Sequence, residues 1–251
     1  MVQTPVKKVS RLALGLIAFL ATVPGPQLLA AEAPRMIRVP VWVFLEPTPG
    51  NGFVGATSRA DTASAPVGKQ AETNTRSSPP PARELRDLAR YVLGGMVYGW
   101  KFSYTPSDRT RHVDEYFSLE PIMEIPDTDP RFSITGFDPA YPRVSTWAEF
   151  LVDEAAARRN VYWGSVAFRA SDGRGYGERD HESEGIREAY SDAVRAAVRA
   201  FARKQEKNKP REINGEVLLK DTPRLFVSAG RFVVDLTVLM NITEMTPYST
   251  F

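Results

Sequence analysis

The sequence predicts an α+β domain in which two or three helices pack on one face of a mainly antiparallel sheet. Amphipathic helical patterns over 83–96 and 184–207 separate groups of alternating strands. Three further strands, near 215–220, 224–228 and 231–243, follow one another with short connections. Strands joined by short turns pair antiparallel, and helices lying between strand groups cover one face of the sheet.

The amino-terminal strand is predicted over 36–45, because Val39, Val41 and Val43 alternate with other side chains there. Pro40 has no N–H group to donate to a neighbouring strand, so we expect this strand at the edge of a sheet. The strand either pairs within the domain or is a tethered segment that pairs with a partner.

Four segments are predicted along the chain. Residues 1–31 are expected to be a signal peptide, and residues 32–46 hold the amino-terminal strand. Residues 47–81 are rich in Pro, Gly, Ser and Thr, and they have too few apolar side chains to offset the entropy of ordering. They are therefore predicted to be a disordered linker. Residues 82–251 are predicted to form a single α+β domain.

The amino terminus has the layout of a secretory signal peptide. Lys7, Lys8 and Arg11 precede an apolar run over 12–23. This run is shorter than the about 20 residues that a membrane-spanning helix needs. We expect cleavage after Ala31, which predicts a periplasmic or secreted bacterial protein with no transmembrane helix after cleavage.

Charge and cysteine content exclude several classes of protein. The chain has 32 basic and 30 acidic residues, and residues 1–31 hold three of the basic residues and no acidic one. The mature chain therefore has 29 basic and 30 acidic residues, which argues against a nucleic-acid partner. With no cysteine, the chain forms no disulfide and has neither a thiolate metal ligand nor a cysteine nucleophile.

In the middle of the chain, the sequence pattern predicts the secondary structure less clearly. Thr146 and Glu149 have the spacing of a capping box, which predicts a helix over 147–159, although the alternation there also allows a strand over 146–152. A strand is predicted over 161–169. The following stretch, SDGRGYGERDHESE, is predicted to be a flexible, solvated hinge.

An aromatic strand is predicted over 98–104. Trp100, Phe102 and Tyr104 alternate with small or polar residues, so their side chains share one face. We interpret this face as core packed against the helix over 83–96. The alternative is an exposed stacking platform, in which Trp100 would be a binding residue.

The loop after this strand is the main candidate for a functional site. His112 with Asp108 or Asp114 is the catalytic candidate, because an imidazole beside a carboxylate can transfer protons. Arg109 and Arg111 are the binding candidates, because guanidinium groups bind anions. The alternative is a charged turn that only contacts solvent.

The other histidine, His181, follows a glycine-rich stretch. Asp172, Glu178, Asp180 and Glu182 surround it in the sequence, but their spacing matches no known calcium loop. We therefore predict no metal and no cofactor. The chain also lacks the motifs of serine hydrolases, zinc proteases, P-loop proteins and dinucleotide-binding proteins.

These observations favour an exported, non-catalytic protein that acts as a binding module or a cell-envelope scaffold, with a protein or envelope component as its partner. Two alternatives stay open. One is a periplasmic hydrolase that uses His112 with a carboxylate, or a metal near His181. The other is a membrane-associated assembly component that uses the first strand or the basic end of the helix over 184–207. The sequence carries no signal for an oligomeric state.

We expect the protein to lose residues 1–31 when a bacterial host exports it, because its amino terminus has the three regions of a signal peptide. The intact mass of the exported form measures this directly. A mature protein that still carries residues 1–31 would contradict the expected periplasmic location.

Overall fold

The computed structural model describes residues 35–45, 81–165, 167–205 and 208–248. Within these ranges it has three α-helices and nine strands in antiparallel sheets, which confirms the predicted α+β class. The predicted signal peptide and most of the predicted linker lie outside the described residues. The elements are β1 Met36–Phe44, α1 Pro81–Val97, β2 Trp100–Thr105, β3 Tyr116–Pro121, β4 Phe132–Ala140, β5 Arg143–Leu151, α2 Glu154–Trp163, β6 Arg169–Glu178, α3 Glu182–Gln205, β7 Glu212–Leu219, β8 Arg224–Ser228 and β9 Arg231–Thr246.

The strands form two antiparallel sheets. The smaller sheet has the order β1-β5-β4, and the larger one has the order β3-β2-β7-β9-β6, with β8 also paired to β9. The first strand pairs along its whole length with β5, where Met36 lies opposite Leu151. It therefore pairs within the domain, and it lies at an edge of its sheet, as Pro40 indicated.

The aromatic face of β2 is core. Trp100, Phe102 and Tyr104 are buried, which confirms the core interpretation of their alternation. The ring of Trp100 stacks on Tyr91 of α1 at 5.1 Å between centroids and meets Tyr190 of α3 edge-on at 6.5 Å. The two helices therefore share one aromatic cluster over the same face of the larger sheet.

Helix α3 lies directly on strand β6. Gly173, Gly175 and Gly177 point toward the helix, and a Cβ atom added at any of them would come closer than 3.0 Å to the α3 backbone. The helix presents small residues to this face at four-residue spacing, namely Gly185, Ala189, Ala193 and Ala197. Strand and helix can approach this closely only because neither has large side chains between them.

This packing corrects the predicted hinge. The stretch that begins at Ser171 is strand until Glu178, followed by a short 3₁₀ turn, Arg179–His181, before α3 begins. The prediction was wrong because a strand that buries glycines has no apolar alternation. Glycine at every second position was the signal for a strand face without side chains.

Two other boundaries also differ from the prediction. The alternative of a strand is correct up to Leu151, and the helix begins only at Glu154, where the Asp153 carboxylate accepts from the Ala156 N–H at 2.8 Å. The strand predicted over 161–169 is wrong, because α2 continues to Trp163 and β6 begins at Arg169. Within the described part of the chain, no helix is long and apolar enough to cross a membrane.

Replacing Gly175 by Ala should destabilise the protein by about 1–3 kcal/mol, because the new methyl group would overlap the α3 backbone. Gly164→Ala is the matched control, since its Cβ would be no closer than 3.4 Å to other atoms, and it should change stability by less than about 0.5 kcal/mol. Urea unfolding measures both. Equal stability of the two variants would show that α3 does not lie on the glycine face.

Candidate functional site

The predicted catalytic loop is built around a buried carboxylate. Asp108 caps a 3₁₀ turn: its Oδ1 accepts from the backbone N–H groups of Thr110 and Arg111 at 3.0 and 3.3 Å, and its Oδ2 accepts from the Arg111 guanidinium at 2.7 Å. The hydrogen bond from Arg111 is the main reason why the pKa of Asp108 lies below its usual value. All three of these interactions shape the loop itself.

The other loop candidates point to solvent. His112, Asp114 and Arg109 are exposed, and the His112 side chain makes no hydrogen bond or ion pair within the described residues. Arg111 pairs with Asp108 and stacks on the ring of Tyr248 at 4.1 Å. The structure therefore does not bring His112 together with a carboxylate.

The remaining candidates are not brought into a site either. Trp100 is 0% exposed, so its ring offers no surface to a ligand. The side chains of His181 and Glu182 lie outside the described residues. Among the side chains that are described, no group of three or more His, Asp or Glu is arranged to hold a metal ion.

Glu115, at the end of the same loop, lies in a cluster. It accepts a hydrogen bond from the Tyr104 hydroxyl at 2.8 Å and lies 3.9 and 3.8 Å from the guanidinium groups of Arg195 and Arg199 on α3. Burial, followed by the bond to Glu115, raises the pKa of Tyr104 to about 12, so the hydroxyl stays protonated and donates. The signal in the sequence was the pair of arginines at four-residue spacing, which places two cations on one face of the helix.

Three cavities are lined in turn by successive parts of helix α3, and we call them together the β3–α3 groove. The first, of ≈ 100 Å³, lies at the end of β3 and includes Arg187 of α3. The central cavity, of ≈ 600 Å³, is lined by the start of β3, by α3 and by β6. The third, of ≈ 280 Å³, lies between the end of β2 and the last turns of α3. The central volume is in the range of about 300–1,000 Å³ that is typical of ligand sites.

The central cavity joins the two edges of the larger sheet. Tyr116 of β3 and Tyr176 of β6 contribute to its walls and are 59% and 47% exposed. Since β3 and β6 are the first and last strands of the order β3-β2-β7-β9-β6, the sheet curls until both edges line one cavity. Tyrosine suits such a wall because it offers an apolar ring and a polar hydroxyl.

The charges in the central cavity, apart from that of Glu188, are paired with each other. Asp192 pairs with Arg195 on α3, and Glu178 pairs with Arg231 at 3.0 Å. The third cavity differs, because its charged lining residues are all cations, namely Arg199, Arg203 and Lys209. The groove therefore becomes more positive toward the end of α3.

The edge of β6 is covered by helix α3. The Asp192 carboxylate accepts from the backbone N–H of Tyr176 at 2.9 Å, and the Glu188 carboxylate accepts from that of Glu178 at 3.2 Å. Both acceptors occupy donors that a further strand would need. This edge is therefore protected against pairing with another chain.

The edges of β1, β4 and β8 also have features that hinder pairing with a further strand. Pro40 lies in the middle of β1, and β4 has an irregularity after Thr135 followed by Pro139. The indole N–H of Trp42 donates to the Leu225 carbonyl of β8 at 3.2 Å. Prolines, bulges and covering side chains are the usual devices that stop edge strands from pairing.

Strand β3 has an open edge. Ile122 N–H donates to the Gly99 carbonyl at 3.1 Å, and bonded and non-bonded pairs alternate from there along an antiparallel ladder. Phe117 and Leu119 therefore direct their backbone N–H and C=O groups away from β2. In the described part of the chain, no group bonds to these two N–H donors. Pro121 holds the next position of the alternation and lacks a donor.

Comparison with known proteins identifies relatives but no activity. An uncharacterized protein of Treponema pallidum (strain Nichols) is 39% identical over 215 residues, which are 86% of this chain and 83% of the relative. No solved structure matches significantly. The model of a protein family of unknown function matches residues 26–248. The chain therefore belongs to this family.

Proposed function

We propose that the protein is an exported, non-catalytic binding module of the bacterial cell envelope, and that its β3–α3 groove binds an extended polypeptide segment. The observation that carries this proposal is the open edge of β3 beside the central cavity. An extended segment that adds to this edge would form main-chain hydrogen bonds with Phe117 and Leu119.

The position of the edge supports strand addition. An added strand would lie about 4.8 Å from β3, and the side chains of Phe117 and Tyr116 border the cavity at that edge. Side chains of the bound segment alternate between the two faces of the sheet, so every second one would face α3. Backbone bonds would supply affinity, and these side chains would supply specificity.

The envelope location rests on the sequence. The basic and apolar regions before Ala31 have the layout of an export signal, and a cysteine-free domain of this length can fold on an ordinary core. The bacterial source of the homologue supports a bacterial setting.

A second candidate function, a scaffold in envelope assembly, is supported by the outer face of the smaller sheet. Met36 lies opposite Leu151, and Trp147 lies opposite Pro40, on the face that is turned away from the core. Met36 and Trp147 are 54% and 40% exposed. Apolar side chains grouped on one exposed face are typical of protein contacts.

The variant Leu119→Pro should lose peptide binding, whereas Leu119→Ala should retain it. Both variants lose the same side chain, but only proline removes the outward N–H donor. Proline is accommodated at Pro121, the next position of this alternation, so the ladder to β2 should be preserved. The measurement is selection of phage-displayed random decapeptides on each protein, after circular dichroism has shown that both variants are folded.

Enrichment of peptides on the native protein and on Leu119→Ala, but not on Leu119→Pro, is the expected result. Peptides that bind the outer face of the smaller sheet would survive the proline substitution, and they would support the scaffold instead. If no peptide is enriched on the native protein, neither the groove nor the outer face of the smaller sheet binds peptides, and this result would contradict both proposed functions.

A further inference from the structure

We infer that the segment bound in the groove runs antiparallel to β3 and places carboxylate groups at its carboxyl end in the cationic cavity. This inference rests on the proposed function and specifies its ligand: an extended peptide with an acidic carboxyl-terminal part. It follows from the direction of the strands and from the distribution of charge along the groove.

The direction follows from the sheet. All pairs of strands in the larger sheet are antiparallel, so an antiparallel segment would extend the same ladder. Such a segment would begin near Pro121 and end beyond Tyr116. Tyr116 pairs with Thr105 of β2, next to Tyr104, which lines the cationic cavity, so the carboxyl end of the segment would lie at the same end of the strands as this cavity.

The cationic side chains at this end of the groove have N–H donors available for a ligand. Arg203 is exposed and has no hydrogen-bond or ion-pair partner within the described residues. Arg199 has its nearest carboxylate, that of Glu115, at 3.8 Å, which is longer than a direct hydrogen bond. Lys209 donates to the Ser107 carbonyl at 2.9 Å, and an ammonium group has two further N–H donors.

The opposite end of the groove is less suited to an anion. Arg90 pairs with Asp87, and the guanidinium of Arg187 lies over the ring of Tyr91 at 5.0 Å. Glu124 also contributes a carboxylate to that cavity. A carboxylate bound there would meet existing acidic groups, so the charges orient the ligand.

The cations of α3 also have a structural role, because positive charge near the carboxyl end of a helix stabilises it. This role does not account for Lys209, which lies beyond the helix yet lines the same cavity. Cations from two separate segments that meet around one cavity indicate a site for anions.

The test compares sequences of decapeptides selected on the native protein with those selected on the double variant Arg203→Gln and Lys209→Gln. We expect Asp and Glu to be enriched in the carboxyl-terminal third of peptides from the native protein, and this enrichment to disappear for the double variant. Lys220→Gln is the matched control, because Lys220 is exposed elsewhere on the surface and should leave the pattern unchanged.

One selected peptide is then synthesised and titrated against each protein. Loss of the two cations should weaken binding about tenfold, as expected for charged hydrogen bonds. The same peptide is also made with a carboxyl-terminal amide and, separately, with Asp replaced by Asn. If the amide weakens binding as much as the Asp-to-Asn change does, the site binds the terminal carboxylate as well as acidic side chains.

Other results would overturn the inference while the proposed function stands. Peptides that bind the native protein but not Leu119→Pro, and that carry no acidic bias, would show strand addition without carboxylate recognition. Acidic residues enriched at the amino end would show a parallel segment. If no peptides depend on the Leu119 N–H, the proposed function itself fails.

Discussion

The structure depends on the close contact of helix α3 with the glycine face of β6. Ordinary packing of a helix on a sheet separates the two layers by their side chains, whereas Gly175 and Ala193 bring the two backbones together. This contact brings the α3 carboxylates within reach of the N–H groups at the edge of β6. One constraint thereby anchors the helix and closes an edge that would otherwise pair with other chains.

The same contact positions the groove. Because α3 lies against the last strand of a curled sheet, its opposite side faces the first strand, β3, across the central cavity. Arg195 and Arg199 reach Glu115 over this gap without filling it. The helix therefore covers one edge of the larger sheet and leaves space beside the other, and this asymmetry is the basis for proposing strand addition at β3.

The sequence predicted the parts of the fold that carry an apolar period. The helix around Leu88, the aromatic face around Trp100 and the last strands were found because large side chains repeat at the spacing of their element. Strand β6 was missed because its buried face is glycine, which gives no apolar signal. The groove was missed because it depends on which edges stay unpaired, and that is a property of the tertiary arrangement. His112 was a candidate because of its chemistry, but the charges around it also predicted a turn in contact with solvent, and the structure agrees with that alternative.

Amide hydrogen exchange of the free protein tests the central claim most directly, since it compares two edges of one sheet. The N–H groups of Tyr176 and Glu178 should exchange slowly, because the Asp192 and Glu188 carboxylates accept from them. The N–H groups of Phe117 and Leu119 should exchange much faster after correction for sequence. If Phe117 and Leu119 are as protected as Tyr176 and Glu178, the edge of β3 is already occupied, and the account of an open strand is wrong.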